Sequence, residues 1–207
     1  LPTSMDLLQN QITLVFLITI FFFSFYVVGT IAGRRKVIKL YRSICEAVLE
    51  AGGKIVDGRY GTTTAIISCR DVGVLAEFSV VIGVQGWSNP LAYIISKSMG
   101  RFDLIILRAR LTKTPKSSFT LIRKDAPAKR YTSRWGSVVD EMDGYLVVSP
   151  EAGSDERVIR DIFQKVRGFE NLMLLSVSRE LPHLQVYFKP VNIENIKALL
   201  STLEKLI

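Results

Sequence analysis

The side chains able to do acid, base, nucleophilic or metal chemistry are few and scattered in this sequence of 207 residues. The single histidine, His183, removes metal sites built on several imidazoles and any mechanism that needs two of them. It follows Pro182 in a strand connection and reads as a surface histidine. Cys45 and Cys69 have no short metal-ligand spacing; one falls on a predicted helix and the other on a predicted strand, so they read as buried, reduced, apolar thiols. No GxxxxGK[ST] loop, GxGxxG turn, GxSxG elbow, HExxH pair or CxxC pair occurs. Gly58-x-x-Gly61 and Gly83-x-x-Gly86 sit between or after strands with no phosphate-binding helix behind them. Asp140, Glu141 and Asp143 cluster in DEMDG without the alternation of a calcium loop and read as a solvated turn. The expectation is a protein that is not an enzyme, with no metal, no cofactor and no evident small-molecule substrate.

Charge is the polar feature that stands out. The formal charge is +8, and residues 101–135 alone carry ten basic against two acidic side chains, whereas residues 136–207 are net acidic. In FDLIILRARL the period-2 alternation puts Ile105, Leu107, Ala109 and Leu111 on one strand face and Leu104, Ile106, Arg108 and Arg110 on the other. Lys113 and Lys116 follow in the connection around Pro115, Arg123 and Lys124 end the next strand, and Lys129 and Arg130 lie in the polar stretch DAPAKRYTSRWGS beside Tyr131 and Trp135. Arginine and lysine with aromatic neighbours suit the phosphates of ribosomal RNA or of lipid headgroups, so these eight residues form the candidate anion-binding surface. A solvated face is the competing reading.

What must position that surface begins at the N-terminus. Ile12 to Gly33 contains no charged residue, and Arg34, Arg35 and Lys36 follow at once. Twenty-two helical residues cover the roughly 30 Å hydrocarbon core of a bilayer at about 1.5 Å each, which predicts one transmembrane helix. A cleaved signal peptide is disfavoured because the run is long and no basic residue precedes it. Arg34, Arg35, Lys36, Lys39 and Arg42 would meet the membrane interface, and they place the N-terminus outside and everything after Gly33 in the cytoplasm. Ser24, Gly29, Thr30 and Gly33 offer small contacts to another membrane helix. Lys36 to Ala51 keeps a helical period up to Gly52-Gly53, so the span is expected to run on into the cytosolic part with little or no break.

Downstream, KIVDGRY, TTTAIISCR and VLAEFSVVIGVQ read as an antiparallel meander. Asn89-Pro90 caps a helix with Leu91, Ile94, Ile95 and Met99 on its apolar side; Trp87 before it reads as a partly buried tryptophan beside a helix start, with a marker of the membrane interface as the alternative. Phe102 to Leu111 and Ser118 to Lys124 read as a pair of strands. The remainder reads as β-α-β-β-α: strands 144–149, 172–177 and 184–188, a helix capped by Ser154 and stopped at Gly168, and a final amphipathic helix from Asn192. The predicted fold class is α+β, with a single N-terminal transmembrane helix and a cytosolic domain of antiparallel sheets packed with helices. The division is residues 1–33 for the short outer segment and span, 34–135 for a helix and β-rich lobe with the basic surface, and 136–207 for a small α/β sandwich.

Together, GRRKVIKLYRSICEAVLE after a lone everted span, the strand set, NPLAYIISKSMG running into FDLIILRARL, and the ending LQVYFKPVNIENIKALLSTLEKLI make the chain resemble the calumin family. These are the coiled-coil-domain-containing membrane proteins that partner Asterix in the PAT complex of the multipass translocon. The resemblance covers the order of elements from about residue 12 to 207. It implies a non-enzymatic adaptor or chaperone that helps multipass membrane proteins insert or fold beside a ribosome-bound Sec-type translocon, in the endoplasmic reticulum or an archaeal plasma membrane. The implied partners are the membrane, other membrane-protein subunits such as an Asterix-like protein, and the ribosome. A structural subunit of another membrane complex and a membrane-tethered enzyme acting on lipid are the alternatives.

Overall fold

The computed structural model describes residues 4–126, 132, 135–150, 156–169 and 171–189. Its first element, α1, is an unbroken helix over Ser4–Glu50, about 70 Å long at 1.5 Å per residue. The continuous helix expected across the basic flank is therefore present. Its two halves have different surroundings: from Gln9 to Val28 every side chain is exposed apart from half-buried Phe25, whereas Val37, Ile44, Ala47 and Val48 belong to the protein core. One helix among the described residues is long and apolar enough to cross a membrane, and it is this one. Within the apolar run the hydroxyls of Thr13 and Thr19 donate to the carbonyls of Gln9 (2.9 Å) and Val15 (2.8 Å) one turn back, so they need no water. The helix ends where Gly52 turns left-handed at φ +78° and Gly53 N–H reaches the Val48 carbonyl at 2.9 Å.

The described strands make one nine-stranded sheet, every pair antiparallel. They are β1 (Lys54–Tyr60), β2 (Thr64–Val72), β3 (Leu75–Gly83), β4 (Leu104–Leu111), β5 (Phe119–Arg123), β6 (Ser137–Met142), β7 (Tyr145–Ser149), β8 (Leu172–Val177) and β9 (Leu184–Phe188), with α2 (Pro90–Ser98) after β3 and α3 (Glu156–Val166) after β7. The order across the sheet is β1-β2-β3-β4-β9-β8-β5-β7-β6. The β1-β2-β3 meander and the α+β class stand as read from periodicity. The final helix expected from Asn192 and the Ser154 cap lie outside the described residues.

Two expectations change. Strands β4 and β5 are not hydrogen-bonded to each other; the β8-β9 hairpin is inserted between them. Strands adjacent in sequence are adjacent in space only about two-thirds of the time, and here a later hairpin competes successfully for both edges. As a result the strands of residues 34–135 and 136–207 interleave: β9 pairs with β4, while β5 lies between β8 and β7. Asp140 and Glu141, read as part of a solvated turn, instead lie in edge strand β6. The turn itself is confined to Asp143 and Gly144, both at positive φ.

One face of the sheet is covered by the second half of α1 and by α3. Their Val37, Ile44, Val48, Ile159, Phe163 and Val166 join Ile67, Val80, Leu107, Leu121, Leu175 and Val186 in one buried cluster. The alternation assigned to β4 is observed, with Ile105, Leu107, Ala109 and Leu111 buried and Arg108 and Arg110 exposed. The opposite face has a smaller cluster around Ile122, Val148 and Leu174, against which Trp135 and Tyr187 pack. Beyond that cluster, where β2, β3 and β4 lie side by side, this face carries Arg70, Glu77, Arg108 and Arg110.

Candidate functional site

The structure separates the eight candidate anion-binding residues. Arg108 and Arg110 project from the polar face of β4, opposite Ser79 and Glu77 of β3. They line a shallow groove of about 510 Å³ with Ser68, Arg70, Glu77 and Ser79. Glu77 is engaged by Arg70 at 3.0 Å across the β2-β3 ladder, and neither Arg108 nor Arg110 forms an ion pair with another described residue. Two guanidinium groups on one strand face, two residues apart, give the groove a net positive wall suited to an anion.

Lys113 and Lys116 lie elsewhere, in the connection that crosses the ends of β8 and β9. Arg179, in the β8-β9 turn, pins this connection: its Nε donates to the Lys116 carbonyl at 2.9 Å and its backbone N–H to Ser118 Oγ at 3.1 Å. Arg179 thus joins Lys113 and Lys116 as a third cation at that end of the sheet. Sequence reasoning missed it because only the hairpin insertion brings residues 63 positions apart together. The same insertion corrects His183. It is buried, and its Nδ1 accepts the Leu111 N–H at 3.2 Å, so the ring serves as a structural acceptor at the end of β4.

Arg123 and Lys124 occupy the opposite end of β5. Each has an acidic partner: Arg123 meets Asp125 at 2.8 Å and Lys124 pairs with Glu141 of β6. The acidic cluster is thereby partly neutralised by the basic segment, and no group of three His, Cys, Asp or Glu among the described residues is placed to hold a metal ion. Lys129 and Arg130 lie outside the described residues. One continuous basic surface is therefore not assembled from the described six; they fall into an outer-face pair, an end pair and an ion-paired pair.

The interface residues of α1 divide as well. Arg35, Lys39 and Arg42 recur at i, i+4 and i+7 on the side of the helix away from the sheet, and Arg34 is also exposed. Lys36 turns towards the domain and pairs with Asp103, which also accepts the Gln85 N–H at 2.6 Å. On the same side, one and two turns nearer the N-terminus, Gly33 and Gly29 receive loops of the domain. A Cβ at Gly29 would stand 2.5 Å from the Trp87 carbonyl carbon, and one at Gly33 would stand 3.1 Å from the Thr62 carbonyl oxygen. These two glycines, expected to serve another membrane helix, are occupied by the chain's own backbone. Ser24 stays exposed.

Cys69 behaves as a small buried hydrophobe, and Cys45, half-buried, packs against the same core. Burial pushes the Cys69 thiol up to about 12, with Cys45 adding to the rise, and burial also raises Cys45. Neither is in a disulfide. Such thiols are poor nucleophiles because the thiolate is disfavoured. A second cleft, of about 480 Å³, is walled by Thr120, Ser176, Gln185, Arg179 and Trp135; the Thr120 and Ser176 hydroxyls satisfy each other at 2.9 Å.

No family model matches the chain, and no curated protein matches it. What fold and surfaces define is a class: an α+β domain built onto the end of a single helix of membrane-crossing length, with cations distributed over several surfaces.

Proposed function

We propose that this chain is a single-pass, membrane-anchored, non-enzymatic adaptor whose domain lies on the cytosolic side and contacts a partner complex. The partner reading we favour is a ribosome-bound Sec-type translocon, where the chain assists insertion or folding of multipass membrane proteins, with an Asterix-like membrane subunit as a companion. The observation that carries this reading is the unbroken α1. Its apolar run is uncovered from Gln9 to Val28 apart from half-buried Phe25, domain loops reach it only near its end at Gly29 and Gly33, and its second half supplies core residues, so anchor and domain move as one piece and hold the sheet at a set distance from the bilayer. The basic flank Arg34, Arg35, Lys39 and Arg42 supports the N-out orientation. Arg108 and Arg110, on an accessible sheet face and without an acidic partner among the described residues, suit a phosphate-bearing partner, and ribosomal RNA supplies such phosphates at the cytosolic surface.

The test is ribosome co-sedimentation from gently solubilised membranes at low salt. Replacing Arg108 and Arg110 with glutamine should release the chain from ribosomes, as should replacing Lys113 and Lys116, and raising salt should have the same effect. Co-sedimentation that is unchanged in both double variants removes the RNA contact. In sealed vesicles whose cytosolic face is turned inward, protection of the domain from protease with cleavage only after lysis is the expected orientation result.

A further inference from the structure

Helix α2 has an apolar stripe and leaves it uncovered. Asn89 caps the helix, its side chain accepting the Ala92 N–H, yet none of its residues is buried. Leu91, Ile94, Ile95 and Met99 are 61, 63, 57 and 65% exposed. Spaced at i, i+3, i+4 and i+8, they form one face. Tyr93 and Ser96 are on the less exposed side, and Tyr93 stacks near Trp87 with ring centres 5.5 Å apart.

The position of α2 along α1 is what gives this face an occupant. The loop entering it touches Gly29, four residues inside the charge-free run, and the segment leaving it is held at Lys36 through Asp103. Seven residues of helix separate those two contacts, about 10 Å at 1.5 Å per residue. If α1 spans a bilayer, α2 is held at the level where hydrocarbon gives way to headgroups. Half-exposed Trp87 stands at that level too, as interfacial tryptophans do. Lys97 and Arg101 follow at the end of the helix, within reach of lipid phosphates.

We propose that α2 is a second membrane contact: an interfacial helix that lies against the cytosolic leaflet and inserts Leu91, Ile94, Ile95 and Met99 about 5–10 Å into the headgroup and acyl boundary. The proposal rests on the reading of α1 as a membrane span. With two attachments, the helix and α2, the domain cannot swivel about α1, and the polar sheet face carrying Arg108 and Arg110 is held in a fixed direction.

Single-tryptophan variants of the full chain in phosphatidylcholine vesicles test it. In a Trp87→Phe/Trp135→Phe background, Phe22→Trp probes the centre of the apolar run, Ile94→Trp probes α2 and Val139→Trp on β6 serves as the aqueous reference. Emission is compared in vesicles with and without lipid brominated along the upper acyl chain or near its end. The expected result is quenching of Phe22→Trp mainly by the deep bromines, quenching of Ile94→Trp mainly by the shallow ones with a blue-shifted maximum, and no quenching of Val139→Trp. Quenching at Phe22→Trp with red, unquenched emission at Ile94→Trp overturns the proposal and leaves the anchor standing. Blue-shifted but unquenched emission at Ile94→Trp also overturns it, in favour of cover by protein, either a second copy or residues 190–207. Loss of quenching at both positions overturns the anchor and this inference together.

Discussion

Gly29→Ala sets two effects of opposite sign against each other. In a helix interior alanine is favoured over glycine by about 1 kcal/mol, so on propensity alone the substitution strengthens α1. The added Cβ, however, would lie 2.5 Å from the Trp87 carbonyl carbon, 2.7 Å from its oxygen and 2.7 Å from the Ser88 nitrogen. All three are backbone atoms, so no rotamer change relieves the clash, and the loop must retreat by about 1 Å to reach ordinary contact near 3.5–4.0 Å. Overpacking of this kind costs about 1–3 kcal/mol. The propensity gain is the same whether the loop is docked or released, because α1 is helical in both states. Docking of the loop therefore feels the whole clash, about a 5- to 150-fold shift at tenfold per 1.4 kcal/mol. Hydrogen exchange of the full chain reads this: the Gln85 amide, bonded to Asp103 in the docked state, should exchange faster by about that factor, while β2-β3 ladder amides keep their rates. Unchanged or slower exchange at Gln85 would refute the reasoning, since it would mean that the loop does not rest on Gly29.

Two other outcomes follow from the packing. Ile44→Ala removes a side chain that is 1% exposed between α1 and the sheet; it should lower the stability of the domain by about 2–5 kcal/mol in denaturant melts, and an unchanged midpoint would mean that the second half of α1 is not part of the core. For Cys69 the folded-state value is pushed up to about 12 from the usual 9, so the folded chain keeps a proton that the unfolded chain gives up. The thiol's contribution is fully present below pH 9 and is lost as pH rises from 9 towards 12, with a slope approaching about 1.4 kcal/mol per pH unit; Cys69→Ala should flatten that part of the stability profile, and an equal slope in the variant would count against burial as the cause.

Much of the chain could be read locally. The β1-β2-β3 meander follows from β-branched runs broken by turn residues, and the face assignment of β4 from strict alternation, because both depend on neighbours a few positions away. The Gly52 stop and the Asn89-Pro90 start were legible for the same reason. The candidate surface was not. Eight basic residues within a short stretch suggest one patch, yet the strand exchange puts Arg108 and Arg110 on a sheet face, Lys113 and Lys116 at one end and Arg123 and Lys124 at the other, paired with acids that include one from a later strand. His183 changes from a surface residue to a buried acceptor because the β8-β9 hairpin inserts where β4 and β5 would have met.

Sequence by itself determined most of the elements and a helix long and apolar enough to cross a membrane: a charge-free run makes such a helix, since hydrophobicity and helical period are properties of contiguous residues. Tertiary structure alone decided what that helix touches. Gly29, Gly33 and Lys36 share a side of α1, but only folding brings Trp87, Thr62 and Asp103 against them. Only folding leaves the apolar face of α2 uncovered beside the apolar run of α1, because cover depends on long-range packing that no local period encodes.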